Sequence, residues 1–271
     1  MNNAEIPIIT SQQIASILPR FDVISAMRNV FTSLALGCAI QPAQKVVLLP
    51  ENRGDFINYF GVDLNRKQLG TKISPYIVTG EQPIITAWTL ILSTETGQPL
   101  MLCDASLLTT ARTAATTALA VDYLAPKDAK VLTIIGTGAV ARAHIRYAQN
   151  IRDWDEIRVL SRSGNVTAEM ICSELNIPTE LVTVCLLSDE ALIGTDVLML
   201  CTSSATPVID MQHLLHPCLI TSISTNAPSA HEISPQKLSD MDVYCDYRHT
   251  TPTVAGEMVI RSEEHTSELQ S

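Results

Sequence analysis

A strand, a glycine turn and a helix in the second half of the chain constrain the fold more than any other feature. The apolar run Val131–Ile135 is followed by Gly136-Thr137-Gly138-Ala139-Val140-Ala141, which opens an amphipathic helix. In such a turn the first glycine permits a sharp bend, the second lets backbone approach a pyrophosphate, and the last small residue lets helix and strand pack closely. The pattern therefore predicts a dinucleotide-binding turn.

Short apolar strands alternate with helices from this turn onward. Strands are predicted at 131–135, 157–160, 182–186, 197–200, 218–222 and 242–245, and helices at 140–150, 166–175, 189–193, 211–215 and 235–238. This alternation is typical of a parallel, doubly wound sheet. We predict a Rossmann domain over residues 126–260.

The first part of the chain has a different pattern. Two amphipathic helices, the first with a capping-box spacing at Thr10, precede β-rich runs at 45–49, 56–62, 72–78, 84–92 and 99–103, and an alanine-rich helix follows at 106–123. We predict an α+β substrate-binding and dimerisation domain over residues 1–125, so that the fold class of the chain is α/β.

The residues after the second Rossmann strand indicate which cofactor is preferred. A carboxylate there would accept from a ribose 2′-hydroxyl, whereas a basic group accommodates a 2′-phosphate. This chain has Ser161, Arg162 and Ser163 at that place. NADPH is therefore expected, with NADH possible, unless Arg162 is only a solvated surface charge.

Composition excludes several classes of protein. A net charge of −10 without a basic stretch argues against nucleic-acid binding. We expect no secretory signal, because the first residues lack a basic segment and an apolar stretch, and no apolar run is long enough to span a membrane. The seven scattered cysteines form no C-x-x-C pair. We expect a cytoplasmic protein with a small-molecule partner and no disulfides. His213 and His216 lack supporting ligands nearby, so no metal site is expected.

The last eleven residues break from the preceding pattern. Residues 261–271 are polar except for Leu269, and they match the translation of a common sequencing-adapter oligonucleotide. We therefore set them apart from the fold and expect the natural chain to be cut after Ile260, with lower stability than its full-length parent.

A second set of motifs lies on the substrate side. Arg112 is the single arginine of an otherwise uncharged, alanine-rich segment, Ser106-Leu107-Leu108-Thr109-Thr110-Ala111-Arg112-Thr113-Ala114-Ala115. Together with Gly70-Thr71-Lys72-Ile73, the glycine turn and the segment that begins at Ser203, it resembles the ornithine cyclodeaminase/mu-crystallin family over residues 8–260. The resemblance also implies a homodimer for the full-length parent of this chain.

The resemblance implies roles for individual residues. Lys72 and Arg112 match the family's carboxylate-binding lysine and arginine, and Thr113 matches a threonine beside the cofactor phosphates. The cofactor contacts implied are Arg112, Thr113, Gly136, Thr137, Gly138, Ala139, Val140, Ser161, Arg162, Ser163, Thr202, Ser203, Ser224 and Asn226. From local sequence alone, Lys72 could instead be a surface lysine at a strand end, and Arg112 an ion-pair partner of Asp104 or Asp122.

Two positions depart from the family pattern. Gln44 stands where members carry an arginine that helps to bind the carboxylate, and Asn226 stands where ornithine cyclodeaminases carry an aspartate. An asparagine can neither take a proton nor pair as an anion with the distal ammonium of ornithine. Cyclisation of ornithine is therefore put in doubt.

The sequence leads to a hypothesis of NADPH-dependent reduction of cyclic imino acids. Δ1-Pyrroline-2-carboxylate would give L-proline, and Δ1-piperideine-2-carboxylate would give L-pipecolate. The candidate catalytic residues are Lys72, Arg112 and Asn226, and Gln44 joins the first two in binding substrate. The alternatives are an ornithine cyclodeaminase, an amino-acid dehydrogenase of the same fold, or an NADPH-dependent binding protein without catalysis.

Overall fold

The structure is a computed structural model that describes residues 5–81, 83–223 and 230–268. The chain divides into two compact units, Met1–Arg112 and Thr113–Ser271. The division falls within a long helix, whereas the sequence analysis places the domain boundary at the end of that helix. No helix in the described ranges is long and apolar enough to cross a membrane.

The first unit is built on a mostly antiparallel sheet. Its helices are α1 (Ser11–Ile17) and α2 (Val23–Ala35), and α3 (Ser106–Leu124) begins in it. Its strands are β1 (Ile8–Ile9), β2 (Ala39–Ile40), β3 (Lys45–Leu48), β4 (Gly54–Asp63), β5 (Gln68–Ile77), β6 (Ile84–Ile85), β7 (Trp88–Ser93) and β8 (Pro99–Asp104). The strand order is β1-β8-β7-β5-β4-β2, with β3 on β4 and β6 on β5.

Local signals in the sequence explain how these helices begin. The Thr10 side chain accepts from the Gln13 backbone N–H while the Gln13 side chain accepts from the Thr10 N–H, so the predicted capping box is confirmed. Asp22 caps α2 through the backbone N–H of Ser25 at 2.9 Å. Each cap satisfies a donor that the first helical turn leaves without a partner.

The long β4–β5 hairpin positions one half of the candidate site. Tyr59 lies opposite Lys72 and Asp55 opposite Tyr76 in the antiparallel register. Directly opposed residues share a face of the sheet, and so do residues two apart on one strand. Asp55, Tyr59, Lys72 and Tyr76 therefore all lie on one face, which we call the lysine face.

The second unit is a parallel sheet with helices between its strands. Its strands are β9 (Val131–Ile135), β10 (Glu156–Leu160), β11 (Val182–Cys185), β12 (Val197–Leu200) and β13 (Leu219–Ser222). Its helices are α4 (Ala139–Ala148), α5 (Ala168–Leu175), α6 (Ser188–Leu192) and α7 (Gly256–Glu268). The order β11-β10-β9-β12-β13, parallel throughout, confirms the predicted doubly wound topology.

This sheet is buried on both faces, which explains why its strands are continuous apolar runs. On β12, Val197 and Met199 belong to one buried cluster, whereas Leu198 and Leu200 belong to another. All four side chains are fully buried. Such two-sided burial is expected when crossover helices cover both faces of a parallel sheet.

Several predicted elements differ from the structure. The strand predicted at 242–245 is wrong: the segment is irregular, with Val243 46% and Tyr244 67% exposed, and pairs with no described strand. The helices predicted at 211–215 and 235–238 are short 3-10 helices, Met211–His213 and Pro235–Asp240. The strand predicted at 84–92 is interrupted between β6 and β7, and α7 continues to Glu268, beyond Ile260.

Candidate active site

The turn after β9 requires glycine at its first position. Gly136 has a φ of 122°, and a Cβ built on it would lie 2.6 Å from the carbonyl oxygen of Cys201. Its N–H lies 3.3 Å from the carbonyl oxygen of Leu160, to which it donates. A side chain at this position would therefore collide with the backbone that follows β12.

The second glycine of the turn has no described neighbour on its side-chain side. Gly138 is the N-cap of α4, no described side chain caps this helix, and no described residue lies within 4 Å of where a Cβ of Gly138 would stand. The first N–H groups of a helix, here from Ala139 and Val140 onward, have no partner within the helix, and they carry the positive end of its dipole. Ala141 is 1% exposed and packs in the core. This geometry fits a dinucleotide pyrophosphate.

A cavity of about 210 Å³ lies beside the turn, at the carboxyl ends of β9 and β10. It is the edge where ligands of open α/β sheets bind, close to the reversal of strand order between β9 and β12. A larger depression, about 650 Å³, includes Arg152 and Trp154 before β10 and so lies at the opposite end of the strands. Residues predicted to bind the cofactor line the smaller cavity together: Gly136, Thr137, Arg162, Ser163 and Thr202.

Arg162 lines this cavity with an exposed side chain that forms no hydrogen bond or ion pair with the described residues. Ser161 before it is 1% exposed, and its hydroxyl is buried without a hydrogen-bond partner in the described part of the chain. Ser163 after it bonds the side chain of Asn165. Of the three predicted residues, Arg162 and Ser163 thus line the cavity, whereas the Ser161 hydroxyl is buried beneath them.

One buried carboxylate joins the ends of two neighbouring strands. Glu232 is 0% exposed. Its Oε1 accepts from the backbone N–H and the hydroxyl of Thr202, at 2.6 and 2.8 Å, and its Oε2 accepts from the Ser222 hydroxyl at 3.0 Å and the Ile223 N–H at 3.1 Å. Glu257 in turn accepts from the Glu232 N–H at 3.0 Å. Glu232 therefore fixes Thr202, which lines the cavity.

In the first unit, Lys72 lies in a partly buried setting on the lysine face. Its Nζ is 4.2 Å from the centre of the Tyr59 ring and 3.4 Å from the Thr109 hydroxyl. Burial, and then the positive charge of Arg112, lower the pKa of Lys72 to about 8. Two cations that act on each other in this way favour binding of an anion such as a carboxylate.

Gln44 directly precedes the strand that pairs with β4 on this side of the sheet. Lys45, the first residue of β3, lies opposite Asn58, the chain neighbour of Tyr59. Tyr59 in turn lies opposite Lys72. The predicted substrate residue Gln44 therefore lies at the end of β3 that is next to this part of β4.

The structure decides the alternatives left open for Lys72. It lies within β5, paired on both sides, and not at a strand end, so the reading as a terminal surface lysine is wrong.

The two acids considered as ion-pair partners of Arg112 each have interactions of their own. Asp104 accepts from the backbone N–H of Ser106 at 2.9 Å and thereby helps to start α3. Asp122 forms ion pairs with Lys127 and Arg152.

The remaining predicted site residues lie in three places. Thr113 is on α3, directly after Arg112, and its carbonyl oxygen accepts from the Thr117 hydroxyl at 3.3 Å. Ser203 is exposed next to Thr202. Ser224 and Asn226 lie outside the described residues. Within the described ranges, no three His, Cys, Asp or Glu side chains are grouped as metal ligands.

Sequence reasoning missed Tyr59 and Glu232. A tyrosine in a β-rich run carries no signal of its own, because its role depends on the register that places it opposite Lys72. Glu232 did leave a signal, since an acidic residue between Ala230 and Ile233 stands in an apolar setting, and buried acids need several donors.

Comparisons with known proteins agree with this arrangement. Residues 8–270 match the ornithine cyclodeaminase/mu-crystallin family. The NAD(P)H-dependent anabolic L-arginine dehydrogenase of Pseudomonas aeruginosa is 52% identical over 264 residues, which cover 97% of this chain and 83% of that protein. The ketimine reductase mu-crystallin of Macropus fuliginosus is 25% identical over 245 residues, 88% of this chain and 76% of that protein.

A solved structure shares the fold. The Thermococcus litoralis Δ1-pyrroline-2-carboxylate reductase, in complex with NADH and L-proline, has a TM-score of 0.86 at 21% identity, covering 96% of this chain and 81% of that one. With its parallel sheet, glycine turn and match over nearly its whole length, the chain belongs to the ornithine cyclodeaminase/mu-crystallin family.

Proposed function

We propose that this protein is an NAD(P)H-dependent oxidoreductase that reduces the C=N bond of an α-imino acid and forms L-arginine. The observation that carries the proposal is the partly buried ammonium of Lys72, held over Tyr59 and within the field of Arg112. The 52% identity with an anabolic L-arginine dehydrogenase supports the choice of amino acid.

The reaction balances with simple reactants. A 2-oxo acid with a guanidinium tail condenses with ammonia, loses water and gives a protonated imine, whose carbon then accepts a hydride while the π electrons move to nitrogen. The amine takes its further proton from solvent. The nicotinamide cofactor, when bound, supplies the hydride.

The residues of the chain act by binding and orientation. Lys72 and Arg112 neutralise the carboxylate and fix the plane of the neighbouring imino carbon, while Gln44 offers an amide in place of a third cation. Because the imine nitrogen is already protonated, its carbon is electrophilic without a separate acid. Orientation of this kind supplies a large part of the rate of such reactions.

The cofactor is held by the turn and the cavity of the second unit. Gly136, Gly138 and the start of α4 accommodate the pyrophosphate, and we propose that Arg162 binds the 2′-phosphate of NADPH. An exposed guanidinium without an ion-pair partner in the described ranges is well suited to a phosphate. NADH would bind without this contact.

Cyclic imino acids are the second candidate substrates. Δ1-Pyrroline-2-carboxylate and Δ1-piperideine-2-carboxylate carry the same carboxylate beside a C=N bond, so Lys72 and Arg112 would bind them equally well. The similarity to a ketimine reductase supports this candidate. Asn226 disfavours the third, cyclisation of ornithine, because it cannot ionise.

We also propose that the protein forms a homodimer through the sheet face opposite the lysine face. Large apolar side chains on that face are exposed, which is typical of an interaction surface. The residues that we call the apolar face are Val47, Phe60, Ile73, Ile84 and Trp88, with exposures of 59%, 39%, 41%, 53% and 41%.

The test follows the absorbance of NADPH and NADH with four substrates. 5-Guanidino-2-oxopentanoate with ammonia, the two cyclic imino acids and, in a separate ammonia-release assay, L-ornithine would be compared. Oxidation with the guanidino acid and ammonia together, and with neither alone, is the expected result. Oxidation of the cofactor only with a cyclic imine would favour ketimine reduction. Release of ammonia from ornithine would indicate a cyclodeaminase. Neither oxidation nor ammonia release with any substrate would favour a binding protein.

A matched pair of lysine variants connects the activity to the site. Lys72→Ala should lower kcat/KM about 100-fold, because removal of a charge-assisted bond to the carboxylate costs about 2 to 3 kcal/mol. Lys67→Ala, which removes an exposed lysine paired with Glu95 on the same hairpin, should leave kcat/KM unchanged. Equal losses in both variants would contradict the role of Lys72.

A further inference from the structure

We infer that Asp55 binds the guanidinium of the substrate and so determines the preference for a cationic side chain. This inference rests on the proposed function, since it assumes that Lys72 binds the substrate carboxylate. It assigns the two ends of one bound amino acid to two positions along one strand pair, the middle for the carboxylate and one end for the guanidinium.

The hairpin register places Asp55 in line with the carboxylate-binding residues. Asp55 and Tyr59 are four residues apart on β4, so both side chains lie on the lysine face. Their neighbours across the hairpin are Tyr76 and Lys72 respectively. A cation and an anion thus mark two positions along the same strand pair, on the same side of the sheet.

The Asp55 carboxylate is available for a ligand. It forms no hydrogen bond or ion pair with any described residue, although it is partly buried. By contrast, Asp63 at the other end of β4 is engaged by Arg66, and Glu95 in the turn after β7 is engaged by Lys67. A partly buried carboxylate without a partner is a natural site for a cation.

The charges of Arg112 and Asp55 both affect the pKa of Tyr59. Burial raises the pKa of Tyr59, the positive charge of Arg112 lowers it, and the negative charge of Asp55 raises it. A cationic and an anionic group therefore both act on this tyrosine. A zwitterion with a second, distal positive charge matches this pair of charges.

The spacing along the strand is comparable to the length of a bound arginine. Asp55 and Tyr59, the residue over which the Lys72 ammonium lies, are four residues apart on β4, which corresponds to about 13 Å between their Cα atoms. An extended arginine measures about 7 Å from its carboxylate carbon to its guanidinium carbon, and a hydrogen bond of about 3 Å at each end brings the span to about 13 Å. Proline and pipecolate have no group that would reach Asp55.

Tyr76 adds a second feature that suits a guanidinium. It lies directly opposite Asp55, and its side chain is 38% exposed, so that its ring is accessible beside the carboxylate. Guanidinium groups stack on aromatic rings while they donate in their plane to a carboxylate. An ammonium would use the carboxylate but gain less from the ring.

The test measures binding of L-arginine and L-norvaline, its analogue without the guanidinium, to the full chain saturated with NADP⁺, by calorimetry. Asp55→Asn should weaken L-arginine binding at least about 10-fold and change L-norvaline binding less than twofold. Glu51→Gln removes an exposed charge from the preceding turn and should change neither. Thermal melting would show that each variant is folded.

A charge-reversed variant at Asp55 tests the assignment by a gain of binding to an amino acid with an anionic side chain. Asp55→Lys should bind L-2-aminoadipate more tightly than the unmodified protein does, and L-arginine less tightly. An unchanged arginine-to-norvaline ratio in Asp55→Asn, or a native protein that does not prefer L-arginine, would overturn the assignment. Arginine binding that depends on Asp55 without any turnover would support it while contradicting the proposed reaction.

Discussion

The ammonium of Lys72 lies 4.2 Å from the centre of the Tyr59 ring, directly across the β4–β5 hairpin. Burial and Arg112 lower the pKa of this lysine to about 8. Below that pH it is charged and binds a carboxylate, and above it the charge is lost. We therefore expect kcat/KM for the imino acid to fall about tenfold per unit as pH rises beyond 8.

The matching measurement is the pH profile of kcat/KM for the native protein and for Lys72→Arg. Arginine stays charged throughout the accessible range, so the decline should disappear or move to higher pH in that variant. If kcat/KM of Lys72→Arg still falls beyond pH 8, the fall is caused by the titration of another group.

Cofactor preference should depend on one arginine. Arg162→Gln removes the cation from the cavity beside Gly136, so the KM for NADPH should rise about 10-fold or more while the KM for NADH changes little. Arg146→Gln removes an equally exposed charge near the end of α4 and serves as the control. Equal effects on both cofactors would show that Arg162 does not contact the 2′-phosphate.

The two glycines of the turn should respond differently to alanine. Gly136→Ala strains a φ of 122° and pushes a methyl group against Cys201, so it should destabilise the fold by about 2 kcal/mol or more. Gly138→Ala meets no residue of the described ranges, and should keep its stability but lose affinity for the dinucleotide. Melting temperature and cofactor titration of both variants separate the two effects.

Acid should weaken the second unit through His144. This side chain is 0% exposed, it contacts the carbonyl oxygen of Val140 and the hydroxyl of Thr117, and burial lowers its pKa. The unfolded chain binds a proton below about pH 6.5 that the folded chain does not, so stability falls as pH drops through that value, by up to about 1.4 kcal/mol per unit.

The check is the difference in pH dependence between variants. In His144→Gln, the free energy of unfolding measured with urea should no longer show this decrease between neutral and mildly acidic pH. His216→Gln, at an exposed histidine, should keep it. If all three proteins show the same slope, the acid sensitivity lies elsewhere.

Assembly should depend on the apolar face. Trp88→Glu places a charge where Trp88 is 41% exposed beside Ile73, and should convert a dimer into monomers at micromolar concentration. Light scattering after size exclusion gives the mass directly. Leu107→Glu, at a 38% exposed leucine on α3, is the matched control and should leave the mass unchanged.

The second unit was more predictable than the first because its signals are local. The strand Val197–Leu200 is predicted at its observed bounds, because a short apolar run within an alternating strand–helix pattern favours a strand buried on both faces. The segment 242–245 looks similar by composition, yet no described strand lies beside it to pair with. Pairing partners are a tertiary property that a local pattern does not contain.

The candidate site was predictable where a motif has a backbone mechanism. Gly136 and Gly138 could be assigned because the turn itself dictates glycine, and Arg162 because it follows a particular strand. Tyr59 and Asp55 could not, since their relation to Lys72 and Tyr76 exists only once the hairpin register is known. A shift of one residue would have placed them on the apolar face instead.

The four hydrogen bonds of Glu232 join the residues at the ends of β12 and β13 through one side chain. Thr202, on the wall of the cofactor cavity, and Ile223, directly after β13, share a single carboxylate. A substitution that displaces one of these residues therefore disturbs the carboxylate that also holds the other. Substitutions at the ends of these two strands should be non-additive, because each changes the hydrogen bonds that position the other.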